Sequence, residues 1–192
     1  MTTAIEEESA RAQIYGLIAA LYFAPPGADL LTQLREATAG VDGILAEPWQ
    51  AMLDAVRRTD GAEIACEYDE LFGGVAEPAV ALYGSRHIAG FHNEKPLARL
   101  RADLAALGLA RVEHIAESED HIAFLCEVMR HLIDGEAPLA EQARFFRAHI
   151  QPWADRMCEA IEHRPEARFY VPVARLTQAF IGLEAQGFDL QE

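Results

Sequence analysis

Apolar residues recur along this chain at intervals of three and four, the spacing of one buried helix face. Ile14, Leu17, Ile18, Leu21 and Tyr22 form a first stripe, and Pro25-Pro26-Gly27 stops it. Leu30, Leu31 and Leu34 predict a second helix ending near Gly40. Trp49, Met52, Leu53 and Val56 mark a third, with Pro48 suited to its first turn. A fourth carries Ile64, Tyr68, Leu71 and Phe72 and stops at Gly73-Gly74. Between Gly73 and His92 the helical period disappears. A loop that long is unusual in a helical domain and is normally functional or mobile.

Regular spacing resumes at Asn93, an expected N-cap, with Pro96 in the first turn and Leu97, Leu100, Leu104 and Leu107 on the inner face up to Gly108. Ser118 is the expected N-cap of the next helix, and Glu119 and Asp120 suit the positive end of its dipole. Ile122, Leu125, Cys126, Met129, Leu132 and Ile133 form a broad apolar face ending at Gly135. Pro138 opens a helix through Phe145, Phe146 and His149, and Pro152 restarts the chain with Trp153, Met157 and Ile161 inward. After Pro165 a last helix carries Val173, Leu176, Phe180 and Leu183 before Gly187. Strand-like alternation is nearly absent. The expectation is an all-α fold of eight or nine helices with one long functional loop, in a single domain over residues 1–192.

Composition narrows the function classes. Thirty-one acidic and sixteen basic side chains leave a formal charge of −15, which disfavours nucleic acid and anionic membranes and favours a basic partner. An acidic surface also serves solubility. Three widely spaced cysteines, Cys66, Cys126 and Cys158, form no CxxC pair and fit a reducing compartment. The acidic start MTTAIEEESA is no secretory leader, and the longest apolar run, Ile14 to Ala24, is too short to span a bilayer. A cytoplasmic, soluble protein without stable membrane insertion is expected.

Four groups of residues suggest chemistry. Glu117, Asp120 and His121 combine carboxylates with an imidazole, but His121 has Phe124 and Leu125 where a helical metal site needs a second ligand. The simpler expectation is that the acids cap the helix while His121 bonds a neighbouring carbonyl. Ser85, near His87 and His92, lacks the preceding strand of a nucleophile elbow. Gly73-Gly74 lacks the lysine and strand of a phosphate loop, and a helix C-cap explains it better. Tyr68, Leu71, Phe72, Pro78, Leu82 and Tyr83 surround the long loop. Core packing accounts best for Leu71 and Phe72, whereas Pro78 to Tyr83 serve equally as the lining of a peptide groove.

Several motifs in order carry a family resemblance over roughly residues 10 to 185. They are Glu67-Tyr68-Asp69-Glu70-Leu71-Phe72-Gly73 followed by Pro78 and Tyr83-Gly84-Ser85; Asn93-Glu94-Lys95-Pro96-Leu97 leading to Asp103-Leu104-Ala105-Ala106-Leu107-Gly108; Glu117-Ser118-Glu119-Asp120-His121-Ile122-Ala123; and His149-Ile150-Gln151-Pro152-Trp153. Together they resemble the redox-enzyme maturation chaperones, the TorD/DmsD family related to NarJ. The resemblance implies a TorD-like helical fold and a cytoplasmic chaperone, not an enzyme. Such a chaperone binds the twin-arginine signal peptide and the apo form of a molybdoenzyme precursor until cofactor insertion. It implies a peptide site at Leu71, Phe72, Pro78, Tyr83, Gly84, Ser85, Glu117, Asp120 and His121, with no catalytic residue, bound cofactor or metal. A monomer or a domain-swapped homodimer fits. Ser118 replaces the family's frequent proline and Tyr83 its frequent tryptophan. A twin-arginine peptide is basic and then apolar, which suits acids beside an apolar groove. The alternative class is a helical metal-dependent hydrolase using Glu117, Asp120 and His121. Nucleotide binding has been attributed to some family members, but no recognisable nucleotide loop is present.

Overall fold

Helical periodicity is realised almost throughout the computed structural model, which describes residues 2–38, 40, 42–73, 77–89, 94–110 and 117–190. Among these the fold is all-α, with ten helices: α1 (Thr2–Phe23), α2 (Ala28–Glu36), α3 (Ala46–Arg58), α4 (Gly61–Phe72), α5 (Gly84–Ala89), α6 (Glu94–Ala106), α7 (Ile122–Asp134), α8 (Leu139–His149), α9 (Ala154–Glu162) and α10 (Tyr170–Asp189). A 3-10 turn, Gly43–Leu45, precedes α3. The chain divides into two compact units, each assembled from two separate stretches. One comprises Met1–Phe23 and Leu82–Trp153; the other comprises Ala24–Ala81 and Ala154–Glu192.

In the first unit α1 packs along α7, and α7 continues onto α8. The α7 face is the one its spacing predicts: Ile122, Leu125, Cys126, Met129, Leu132 and Ile133 are all buried. On α1 the buried face contains Ile18, Leu21 and Tyr22 of the expected stripe and is wider than that stripe on one side. Ala12, Tyr15, Ile18, Ala19 and Tyr22 are buried, while Ile14 and Leu17 are only half-buried. Gly16 on this helix leaves room for a neighbouring side chain: a Cβ there would lie 3.1 Å from Cδ of Arg130 on α7.

In the second unit α10 packs on α9, α3 and the 3-10 turn, and α2 lies against α3. Asp60 and Glu63 form a reciprocal capping box at the start of α4, a pairing that satisfies two otherwise orphaned donors. From the middle of α4, Glu67 accepts the backbone N–H groups of Arg168, Phe169 and Tyr170 at 2.8, 3.0 and 2.8 Å. A buried carboxylate therefore does for α10 what a local N-cap side chain would do.

Several boundaries differ from expectation. α2 ends at Glu36, short of Gly40. A short helix, α5, interrupts the stretch the sequence marks as one long loop. α10 runs through Gly187 because Phe188 beyond it is buried, whereas Leu183 is exposed. Gly135 does end α7, yet the left-handed residue there is Glu136 (φ 54°). Gly108 has φ +73° as a helix stop requires. Asn93, the expected cap of α6, lies outside the described residues, as do Gly74 and His92.

Candidate functional site

Two short stretches of the first unit meet in an antiparallel bridge between Tyr83 and His121. The N–H of Gly84 donates to the Asp120 carbonyl at 3.0 Å, and that of Ile122 donates to the Leu82 carbonyl at 2.9 Å. This joins the start of α5 to the start of α7. Ser118 is not the cap of α7: His121 is, its Nδ1 accepting the Ala123 N–H at 3.1 Å. A nitrogen that accepts carries no proton, so the imidazole proton sits on Nε2. Burial pushes His121 down to about 4, against the upward pull of Glu117 and Asp120, which keeps it neutral and able to cap. The expected bond from His121 to a carbonyl is thus replaced by one it accepts.

Asp120 does not cap its own helix either. Its Oδ2 accepts the Ser85 N–H at 2.8 Å, at the opening of α5. Oδ1 of this side chain, which is 5% exposed, has no hydrogen-bond partner among the described residues. Buried carboxylate oxygens rarely stay unpaired. Tyr83 donates its hydroxyl to Glu117, and its ring meets His121 edge-on at 5.1 Å. Each member of the Glu117, Asp120, His121 set therefore has its own separate hydrogen bond. Among the described residues no group of three His, Cys, Asp or Glu side chains is arranged to hold a metal ion.

The corner opens onto a cleft of about 520 Å³, lined in part by Ser85, Asp120, Leu125, Pro152 and Trp153. Trp153, 1% exposed, forms its floor. The indole N–H donates to the His149 carbonyl at 2.6 Å, and the ring stacks on His87 at 5.4 Å. Gly84 lies against this indole. Lys95 and Arg99 bring positive charge to the same lining. His149 Nε2 is 2.7 Å from Asp103 Oδ2, and Arg144 donates to Asp103 Oδ1 at 2.7 Å. Burial pushes His149 down, opposed by Asp103 and aided by Arg99 and Arg144. At Asp103 burial pushes upward, but the bonds from Arg144 and His149 outweigh it and the carboxyl lies below its usual range.

Residues 38–159, well over half the chain, match the family described as nitrate reductase delta subunit. The chain belongs to that family. It is 24% identical over 152 residues to chaperone protein TorD of Vibrio parahaemolyticus, covering 70% of this chain and 71% of that protein. It is 28% identical over 130 residues to chaperone protein TorD of Vibrio cholerae serotype O1, covering 62% of this chain and 59% of that protein. The resemblance to redox-enzyme maturation chaperones is borne out, and the family is one of chaperones and not of enzymes.

The matched span of this nitrate reductase delta subunit relative contains every expected site residue, and the fold divides them. Tyr83, Gly84, Ser85, Glu117, Asp120 and His121 come together at the corner in the first unit. Leu71, Phe72 and Pro78 belong to the second unit. There Leu71 is fully buried and its carbonyl accepts the Val80 N–H at 2.9 Å. Phe72, read as core, is half-buried, edge-on to Tyr170 at 4.9 Å and to Tyr68 at 5.2 Å. Pro78 is half-buried, and Leu82 is core at 3% exposure. Lys95, Arg99, His149, Pro152 and Trp153 were not singled out as site residues, although all but Arg99 fall in the quoted motifs. Apolar spacing assigns Trp153 to the core and gives no sign that its ring also floors a cleft. No helix among the described residues is long and apolar enough to cross a membrane.

Proposed function

We propose that this chaperone binds the twin-arginine signal peptide of a molybdoenzyme precursor in the cytoplasm and holds the apo form until its cofactor is inserted. The observation that carries the proposal is Asp120: a buried carboxylate in the lining of the cleft, fixed through Oδ2 by the Ser85 N–H, whose Oδ1 has no hydrogen-bond partner among the described residues. A guanidinium is the donor that best relieves it, because a charge-assisted bond is about twice as strong as a neutral one. Leu125, Pro152 and Trp153 supply apolar surface to the same cleft for the segment after the arginines. The charge of −15 adds long-range attraction and speeds encounter.

Titration with a synthetic peptide of two arginines followed by an apolar stretch tests this. Binding should weaken as salt rises, mainly through the association rate. Replacing both arginines by glutamine should remove most of that salt dependence and much of the affinity. Equal binding by both peptides at every ionic strength would leave the acids without a role.

A further inference from the structure

α6 forms one wall of the cleft, contributing Lys95, Pro96, Arg99 and Leu100 to its lining. Burial secures this wall weakly. Of its described side chains Leu100 alone is buried, and Leu97 and Leu104, expected to face inward, are only half-buried. α7 and α8, which also reach the cleft, bury seven and five residues. Packing of an apolar face supplies most of a helix's stability in a protein, so polar ties carry more of the load at α6. The Asp103 carboxylate reaches α8 twice, accepting from Arg144 at 2.7 Å through Oδ1 and lying 2.7 Å from His149 Nε2 through Oδ2. Arg101 donates to both carboxylate oxygens of Glu119, at 2.9 and 3.1 Å.

The charge on this wall opposes a basic ligand. Lys95 and Arg99, four residues apart and so on one face of α6, share the lining with Asp120. Arg101 sits on Glu119, the neighbour of Asp120 in the chain. The bond to Glu119 and its charge raise the Arg101 guanidinium above its ordinary value against slight burial, and the charge of Asp120 adds to this. α6 therefore brings its own cations to the acidic corner. A basic segment approaching Asp120 meets them there, whereas displacement of α6 removes them and releases Glu119 as a further acid.

We propose that α6 is an autoinhibitory cover: latched to α8 by Asp103, it holds its own cations at the acidic corner, and a basic precursor segment binds by displacing it. That the segment is a signal peptide rests on the function proposed above; the latch and the cover do not. A cover of this kind lowers apparent affinity in proportion to the fraction of molecules in which it is closed, so weakening the latch tightens binding.

The test is Asp103→Ala in the full chain, which breaks both bonds to α8 and alters no residue of the cleft lining. Charge alone predicts weaker binding of a basic peptide, because the variant loses an anion and leaves Arg144 without its carboxylate. The cover predicts the opposite. A twin-arginine peptide should bind the variant about threefold more tightly, through faster association, a size in keeping with partly exposed ion pairs. Hydrogen exchange without peptide should show the α6 amides losing protection while those of α7 keep theirs. Equal or weaker binding by the variant, or unchanged protection of α6, overturns the proposal. A thermal melt checks that the variant is folded, and Asp103→Asn, which keeps the shape, takes its place if it is not. A second arm titrates a capped tetraarginine peptide. Tighter tetraarginine binding by the variant supports the cover even if no twin-arginine peptide binds either protein, a result that would remove the signal-peptide function alone. Tetraarginine bound no more tightly by the variant than by wild type overturns the cover.

Discussion

Gly84 lies so close to the indole of Trp153 that a Cβ on the glycine would sit 2.8 Å from Nε1. Position 84 is therefore limited by packing, for its backbone needs no left-handed conformation. Gly84→Ala should lower stability by about 1–3 kcal/mol, the usual cost of forcing an extra carbon into a packed site. Trp153→Phe removes the crowding nitrogen along with its bond to the His149 carbonyl. Combined, the two substitutions should cost less than their sum by at least about 0.5 kcal/mol. Denaturant melts of the four proteins measure this; strict additivity would mean that the indole is not what excludes a side chain at 84.

Asp120 separates binding from folding. Asp120→Asn retains an oxygen for the Ser85 N–H and removes the charge from the unpartnered position. Its melting temperature should change little. Twin-arginine peptide binding should fall about 10- to 100-fold, as loss of a charge-assisted hydrogen bond of about 1.5–3 kcal/mol implies. Phe72→Ala is the contrasting variant. Its half-buried ring, edge-on to Tyr68 and Tyr170, makes a cost of about 1–3 kcal/mol reasonable, below the 3–5 typical of a fully buried phenylalanine. Peptide titration beside thermal melts decides both. Unchanged affinity in Asp120→Asn would reduce Asp120 to a structural anchor for α5.

Helix existence was legible because three- and four-residue spacing reports burial directly, as the fully matched face of α7 illustrates. The corner was legible only in part. Spacing placed Ser118, Glu119 and Asp120 at a helix start, and the chemistry of caps favoured serine and the acids over histidine. What decides the cap is a tertiary event: the bridge of Tyr83 to His121 starts α7 at Ile122 and turns Asp120 toward Ser85. No local pattern encodes a partner 35 residues away. The α1 stripe is legible in part: Ile18, Leu21 and Tyr22 are buried as their spacing indicates, but Ala12 and Ala19 share the buried face and hydrophobic spacing gives such small residues little weight. The Asp103 to His149 pair joins residues 46 apart and left no sign in sequence beyond two separate motifs.

His121 gives stability a defined pH dependence. In the unfolded chain the imidazole takes up its proton near the ordinary value of 6.5; in the folded chain burial delays uptake to about 4. Between those values the unfolded state binds more protons, so stability is fully present above about 6.5 and falls as pH drops toward 4. A shift of this size corresponds to about 3 kcal/mol at most. Protonation would also cost α7 its cap, because Nδ1 could no longer accept the Ala123 N–H. His149 is shifted in the same direction, so a variant must isolate the contribution. His121→Asn keeps a good cap acceptor and does not titrate. Between pH 7 and pH 4.5 wild type should lose about 2 kcal/mol more than the variant; equal losses would assign the acid sensitivity to other groups.

Glu67 carries the last prediction, in the second unit. Its Oε1 accepts the N–H groups of Arg168 and Tyr170, and Oε2 accepts that of Phe169. A glutamine has one accepting oxygen. In the orientation that keeps Arg168 and Tyr170 satisfied, its amide NH₂ faces the Phe169 N–H, donor against donor. Glu67→Gln should therefore cost about 1.5–3 kcal/mol, the range for a lost bond to a charged acceptor plus an unsatisfied buried donor. Glu70, one turn further on the exposed side of α4, provides the comparison, and Glu70→Gln should stay within about 0.5 kcal/mol of wild type. Hydrogen exchange adds a site-resolved readout: the Phe169 amide should lose protection in Glu67→Gln, with the amides of Arg168 and Tyr170 affected less. Should the two variants prove equally stable and the Phe169 amide stay protected, the start of α10 is held by its packing, and the buried carboxylate of Glu67 is not its cap.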